Sequence, residues 1–291
     1  MPRITRLWLV LCLVVAGAAA AMAQQNPEEV TGPPKVLVVV REFLKPGKAG
    51  SPHVKTESAF VNAFAAAKWP THYLAMDSLS GVSRSLFMIG YDSFEAWEKD
   101  NLGTMNNPTL FAALDRASIA DGDLLTSTES STFLYREDYS LRAKVNVAQM
   151  RYFEISRFHV RPGHQKDWEA LVKMYISGYE KAVANGRWAV FEDMYGHNSG
   201  GTYLVIVPMK SLAETDRGFT DSKQFAAAIG EDGMKKLAEL EAACVDAAET
   251  NVFMFNPKMS YVSDKWIAAD PAFWKPKAPS AGKKSEPKPA Q

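Results

Sequence analysis

The feature that most constrains this chain is an internal repeat. Arg-Tyr-Phe-Glu-Ile-Ser-Arg-Phe-His-Val-Arg-Pro-Gly at 151–163 echoes Val-Leu-Val-Val-Val-Arg-Glu-Phe-Leu-Lys-Pro-Gly at 36–47. In both copies an apolar or alternating β-branched run reads as a strand, an arginine stands five residues before the proline, and a basic-Pro-Gly triplet ends the strand. A chain written twice must fold as two similar units, and whatever surface one unit leaves uncovered the other is placed to cover.

The units follow from periodicity. In the first, a strand over 35–44 leads to a helix with Ser51 as N-cap and Pro52 at its first position, and Val54, Phe60, Val61 and Phe64 give its apolar face. Strands are predicted over 69–76 and 86–91. Asp92-Ser-Phe-Glu95 has capping-box spacing, Pro108 breaks the helical pattern, 110–119 resumes it, and 132–136 closes the unit. In the second, a strand over 155–160 precedes a helix striped by Trp168, Leu171, Val172, Tyr175 and Tyr179 and stopped at Asn185-Gly186. Strands over 188–195 and 203–207 follow. A helix lined by Met234, Leu237, Leu240, Cys244, Val245 and Ala248 and a strand over 252–255 complete it. The order strand–helix–strand–strand–helix–strand is ferredoxin-like, so the expected class is α+β: tandem βαββαβ repeats at 35–142 and 150–265 whose sheets pack as an intrachain α/β barrel.

The ends read differently. Arg3 and Arg6, the apolar run Leu7–Val15 and Ala21-Met22-Ala23 have the form of a signal peptide over 1–23, with an apolar run shorter than the roughly 20 residues a membrane span needs. A secreted or periplasmic protein is expected, with a Pro-rich lead-in over 24–34 and a disordered Pro/Lys-rich tail over 275–291. Removing the leader removes Cys12 and leaves Cys244 alone, so no intramolecular disulfide forms and the core must supply the stability. The 33 basic and 33 acidic residues balance, which speaks against a nucleic-acid partner.

Glu154-Ile-Ser-Arg157-Phe-His-Val-Arg161-Pro162-Gly163 resembles the opening strand of the dimeric α/β-barrel superfamily, most nearly its NIPSNAP-type members. Glu154, Phe158 and the Arg-Pro-Gly triplet fall on that pattern, while Arg157 is displaced by one position. The resemblance implies a barrel with a cavity. It leaves the chemistry open, because the superfamily includes antibiotic-biosynthesis monooxygenases that work without a cofactor as well as haem proteins.

No histidine pair has metal-binding helical spacing, and no Cys-x-x-Cys, nucleophile elbow, phosphate loop or dinucleotide fingerprint exists. No cofactor and no metal are therefore expected, and no catalytic residue can be named. His53 and His164 stand at helix starts and read as structural or surface residues. Arg41 and Arg157 share a strand face with apolar neighbours, so each is either paired with a carboxylate such as Glu192 or Asp193 or lines a cavity as an anion-binding fork. His159, Trp188, Tyr195 and Glu192 complete the candidate ligand-binding set, the aromatics being equally suited to core. The expected function is the binding of a small apolar or aromatic molecule in a barrel cavity. The alternatives are a cofactor-independent monooxygenase or isomerase using His159 and Arg157, and a structural protein with a filled barrel.

Overall fold

The computed structural model describes residues 32–196 and 200–275. The expected leader, almost all of the lead-in, His197 and the Pro/Lys-rich tail lie outside them. The first repeat runs β1 (Val36–Leu44), α1 (Ser51–Ala67), β2 (Tyr73–Ser78), β3 (Arg84–Tyr91), α2 (Phe94–Met105), α3 (Pro108–Gly122) and β4 (Leu125–Tyr135). The second runs β5 (Tyr152–Val160), α4 (Gln165–Ala182), β6 (Ala189–Tyr195), β7 (Thr202–Met209), α5 (Ala213–Cys244) and β8 (Val245–Phe255), followed by the short α6 (Asp264–Ala269) and α7 (Pro271–Trp274). Both repeats break their second helix: the first at Asn106-Asn107 before Pro108, the second within α5 at Gly230, whose φ of 71° an L side chain rarely adopts.

The eight strands form one closed antiparallel barrel in the order β1-β3-β2-β8-β5-β7-β6-β4. Each repeat contributes a four-stranded sheet, and the seams are β2 with β8 (Met76 opposite Phe255) and β4 with β6 (Phe133 opposite Asp193). Closure gives every strand a neighbour on both sides, although the two seams pair over only short stretches, Met76–Ser78 of β2 and Thr132–Tyr135 of β4. Because side chains alternate, Leu37, Val39, Arg41 and Phe43 of β1 point inward with Phe153, Ile155, Arg157 and His159 of β5, while Val36, Val38, Val40 and Glu42 point out to the helices. The interior core also takes Met76, Leu86, Met88, Phe133, Leu204, Ile206, Phe253 and Phe255, and outside it the helices of each repeat pack on their own sheet.

Several boundaries differ from the sequence reading. Ser51 is the first helical residue and Gly50 the cap, with no side-chain capping bond, whereas Ser93 caps α2 by accepting from the Ala96 amide. β2 starts at Tyr73, because Trp69 and Thr71 instead donate to Asp100 on α2. β4 and β8 begin seven residues earlier than the predicted strands. Val-Asp-Ala-Ala-Glu-Thr-Asn at 245–251 has helical composition but pairs with β5 along its length, so a neighbouring strand overrides local preference. Finally, α6 and α7 form a cap beyond the second repeat, with Trp274 buried against the barrel core and its indole donating to the Ala148 carbonyl at 2.8 Å.

Candidate functional site

The barrel interior is divided along its axis. At one end the strands carry only apolar side chains inward, and between the two sheets they leave a cavity of about 410 Å³ walled by Leu37, Leu74, Met76, Met88, Phe153, Phe191, Ile206 and Phe255. Trp266 of the cap leans over it, and Val39, Leu86, Phe133, Ile155 and Leu204 lie below the wall as a buried floor. Polar groups are confined to the rim. Arg187 pairs with Glu214 at 2.8 Å, and Arg142, itself at φ 43°, donates to the carbonyls of Val183 and Gly186 at 3.0 Å each. His72 stacks on Tyr261 with ring centroids 4.8 Å apart, and burial lowers its pKa, which favours the neutral imidazole.

Beneath the floor lies a belt of charge. Arg41 pairs with Glu129 at 2.9 Å, and Arg84 pairs with Glu249 at 2.9 Å while its guanidinium sits over the Phe253 ring. Asp193 is only 4% exposed, and neither of its oxygens has a hydrogen-bond partner. Burial raises its pKa, opposed by the positive charges of Arg157 and Arg41, and burial with the nearby Arg157 lowers that of Arg41. The belt is an internal ion network on the far side of an apolar layer from the cavity.

The candidate residues therefore scatter. Arg41 and Arg157 face the space between the sheets, but in the belt rather than on the cavity wall. The carboxylate beside both is Asp193. Its neighbour Glu192 points out of the barrel to an ion pair with Arg136 and a 3.2 Å hydrogen bond from the Tyr203 hydroxyl. His159 sits at the belt end, its Nδ1 3.2 Å from the Thr202 hydroxyl. Tyr195 is exposed and meets Phe94 edge-on. Only Trp188 borders the cavity, its indole donating to the Tyr139 carbonyl at 2.9 Å. The wall residues Leu74, Met88 and Ile206 escaped the sequence reading because an apolar residue on an inward strand face looks the same whether it meets a neighbour or a void.

A second hollow, about 540 Å³, lies outside the barrel between the second sheet and α4 and α5, bordered by Phe158, Trp168, Tyr175, Tyr179 and Val205. It is a gap within one repeat, whereas the barrel cavity is shared by both.

No protein-family profile and no curated protein match this chain. Solved structures of similar chain path include an anthrone oxidase-like protein at 16% identity (TM-score 0.49, 76% of this chain and 92% of that one). A candidate monooxygenase from Lactobacillus acidophilus NCFM aligns at 6% identity (TM-score 0.45, 76% and 94%), and a mutant chlorite dismutase from Candidatus Nitrospira defluvii at 9% (TM-score 0.46, 80% and 96%). The strand order describes the fold on its own: two four-stranded ferredoxin-like sheets, both supplied by one polypeptide, close into a single eight-stranded barrel.

Proposed function

We propose that this protein binds a small, predominantly apolar or aromatic molecule in the open end of its barrel. The observation that carries the reading is the cavity itself. At about 410 Å³ it falls within the size range of small-ligand pockets, with apolar walls and polar groups only at the rim. Such a site takes an apolar body by excluding water from it and leaves a polar edge of the ligand at the mouth, near Arg142 and Arg187. Binding is favoured over transformation because the cavity wall is apolar and His159 and Arg157, the groups the alternative relies on, lie below the floor. The oxygenase or isomerase alternative needs an acid–base group within reach of a bound substrate. The leader-like sequence supports export as the setting, which N-terminal sequencing of the expressed protein would test by showing a start near Gln24.

The test is a thermal-shift and native mass-spectrometry screen with flat aromatic compounds, with oxygen uptake followed in parallel. Wild type is expected to bind without consuming oxygen. Leu74→Trp, which fills the cavity from its wall, is expected to abolish the shift while the protein still melts cooperatively. Retained binding in Leu74→Trp together with loss in Val205→Trp would move the ligand to the outer hollow.

A further inference from the structure

On the outer face of the first sheet, where the fold calls for an apolar layer, four chemistry-bearing side chains converge. Glu42 reaches out from β1, His53 and Glu57 lie one helical turn apart on α1, and Asp121 comes from the end of α3. One donor atom from each lies within 4.8 Å of every other, and His53, Glu57 and Asp121 are at most 3% exposed. The His53 Nε2 is 3.0 Å from Glu42 Oε2, 3.6 Å from Asp121 Oδ1 and 4.0 Å from Glu57 Oε1. Four donors about 2.1 Å from a shared centre stand roughly 3–4.2 Å apart in tetrahedral or octahedral arrangement, so these separations already approach those of a coordination shell.

A second observation points to a ligand. The Glu57 Oε1 is buried without any hydrogen-bond partner, and it is the atom directed at His53. An uncommitted carboxylate oxygen this deep is costly unless something cationic completes it. The surrounding bonds are those of an outer shell. Ser85 Oγ lies 3.4 Å from His53 Nδ1 and donates to Asp77 at 2.6 Å, Asp77 also accepts from the Asn256 amide at 2.7 Å, and Thr56 donates to Asp121. With Nδ1–H directed at Ser85, the Nε2 lone pair faces the three carboxylates, which is the tautomer a metal ligand needs.

The duplicate supplies an internal control. Ser85 pairs with Glu42 across β3 and β1, and at the matching place in the second repeat Tyr203 pairs with Phe158. There Phe158, Trp168 and Tyr203 pack as aromatic core, Phe158 tilted against Trp168 at 5.4 Å and Trp168 stacked on Tyr203 at 4.9 Å between centroids. The fold is thus built perfectly well with aromatics at this position, and the first repeat carries its polar cluster for some other reason.

We propose that Glu42, His53, Glu57 and Asp121 form a binding site for one divalent first-row transition ion of the Mn²⁺, Fe²⁺ or Zn²⁺ kind. One imidazole nitrogen with three carboxylate oxygens is a mixed donor set suited to those ions. The site is separate from the barrel cavity, since Glu42 and its neighbour Arg41 leave opposite faces of β1. The partly exposed edge of Glu42, at 13%, gives the ion its way in.

The experiment uses the whole purified protein, stripped with a chelator and dialysed against Mn²⁺, Zn²⁺ or Co²⁺, the last as a visible-absorption probe. One equivalent per chain, a raised melting temperature and Co²⁺ ligand-field bands are expected. His53→Gln should abolish uptake, and Ser85→Ala, which alters only the outer shell, should weaken affinity about 10–100-fold. Asp246→Asn, on exposed β8, should change nothing. Failure of the wild type to take up any of the three ions, or uptake unaltered by both His53→Gln and Ser85→Ala, would overturn the proposal. Neither result touches the barrel-cavity reading.

Discussion

Glu57 shows how far one residue can depart from its ordinary chemistry. Burial pushes its carboxyl up to about 9, and the neighbouring charges of Glu42, Asp121 and Asp77 act in the same direction, with His53 the one basic group in the cluster. The consequence for stability has a definite sign. In chelator-treated protein the unfolded chain loses this proton near 4.5, while the folded chain keeps it until about 9. Between those values the folded state holds more protons, so this group's contribution is full below 4.5 and is lost as pH rises, at up to about 1.4 kcal/mol per pH unit. Glu42, whose pKa burial also raises, adds to the same trend. Glu57→Gln is expected to flatten the decline, so that variant and wild type converge toward pH 5 and separate toward pH 9 in denaturant melts. Parallel curves would show that Glu57 is ionised in the fold. The same residue explains why the cluster was hard to see in sequence. His53 and Glu57 form a readable i, i+4 pair, but Glu42 and Asp121 join them only when β1, α1 and α3 stack.

Among the elements, the cap is the least expected and the most consequential. Ser263 opens α6 by accepting from the Trp266 amide, and Asp270 does the same for the Phe273 amide in α7. These short helices would not persist alone and are held by aromatic packing. Trp274 meets Phe255, Trp266 and Phe273 with centroids 5.1, 5.3 and 5.0 Å away, while Arg151 pairs with Asp270 and lies over the Phe273 ring. Trp274→Ala is expected to cost about 3–5 kcal/mol, because it opens a cavity at the barrel end and leaves the Ala148 carbonyl without its indole partner. Chemical denaturation would measure it, and a loss below about 1 kcal/mol would mean the cap is a loose appendage. Trp266 borders the barrel cavity, so the same variant should also weaken the binding proposed there.

At the scale of the whole molecule, one chain encloses an interior that neither repeat could close alone. Each sheet exposes its inward apolar face and two outer strands until β2 meets β8 and β4 meets β6. Cutting the chain between β4 and β5, near Lys144, and expressing the halves separately is therefore expected to give insoluble or aggregated fragments, whereas co-expression should give a soluble one-to-one complex. Light scattering on each preparation distinguishes the outcomes. A stable, soluble monomeric half would mean that the seams contribute little.

The repeat, the strand order and the inward alternation of β1 and β5 were legible in the sequence because they are local. Periodicity of two or 3.6 and the Pro-Gly stops are written in consecutive residues, and duplication exposed the pairing of the halves. Residue type alone could not say which inward side chains meet a void, a floor or a charged partner. Arg157 and Leu37 share one interior, yet an apolar layer separates the belt that holds the first from the cavity that the second lines. Neighbours along β6 part company too, Asp193 turning into the barrel and Glu192 away from it. Such distances between residues remote in the chain arise only when the sheets close, because packing, not propensity, decides where space remains and which buried charges face one another.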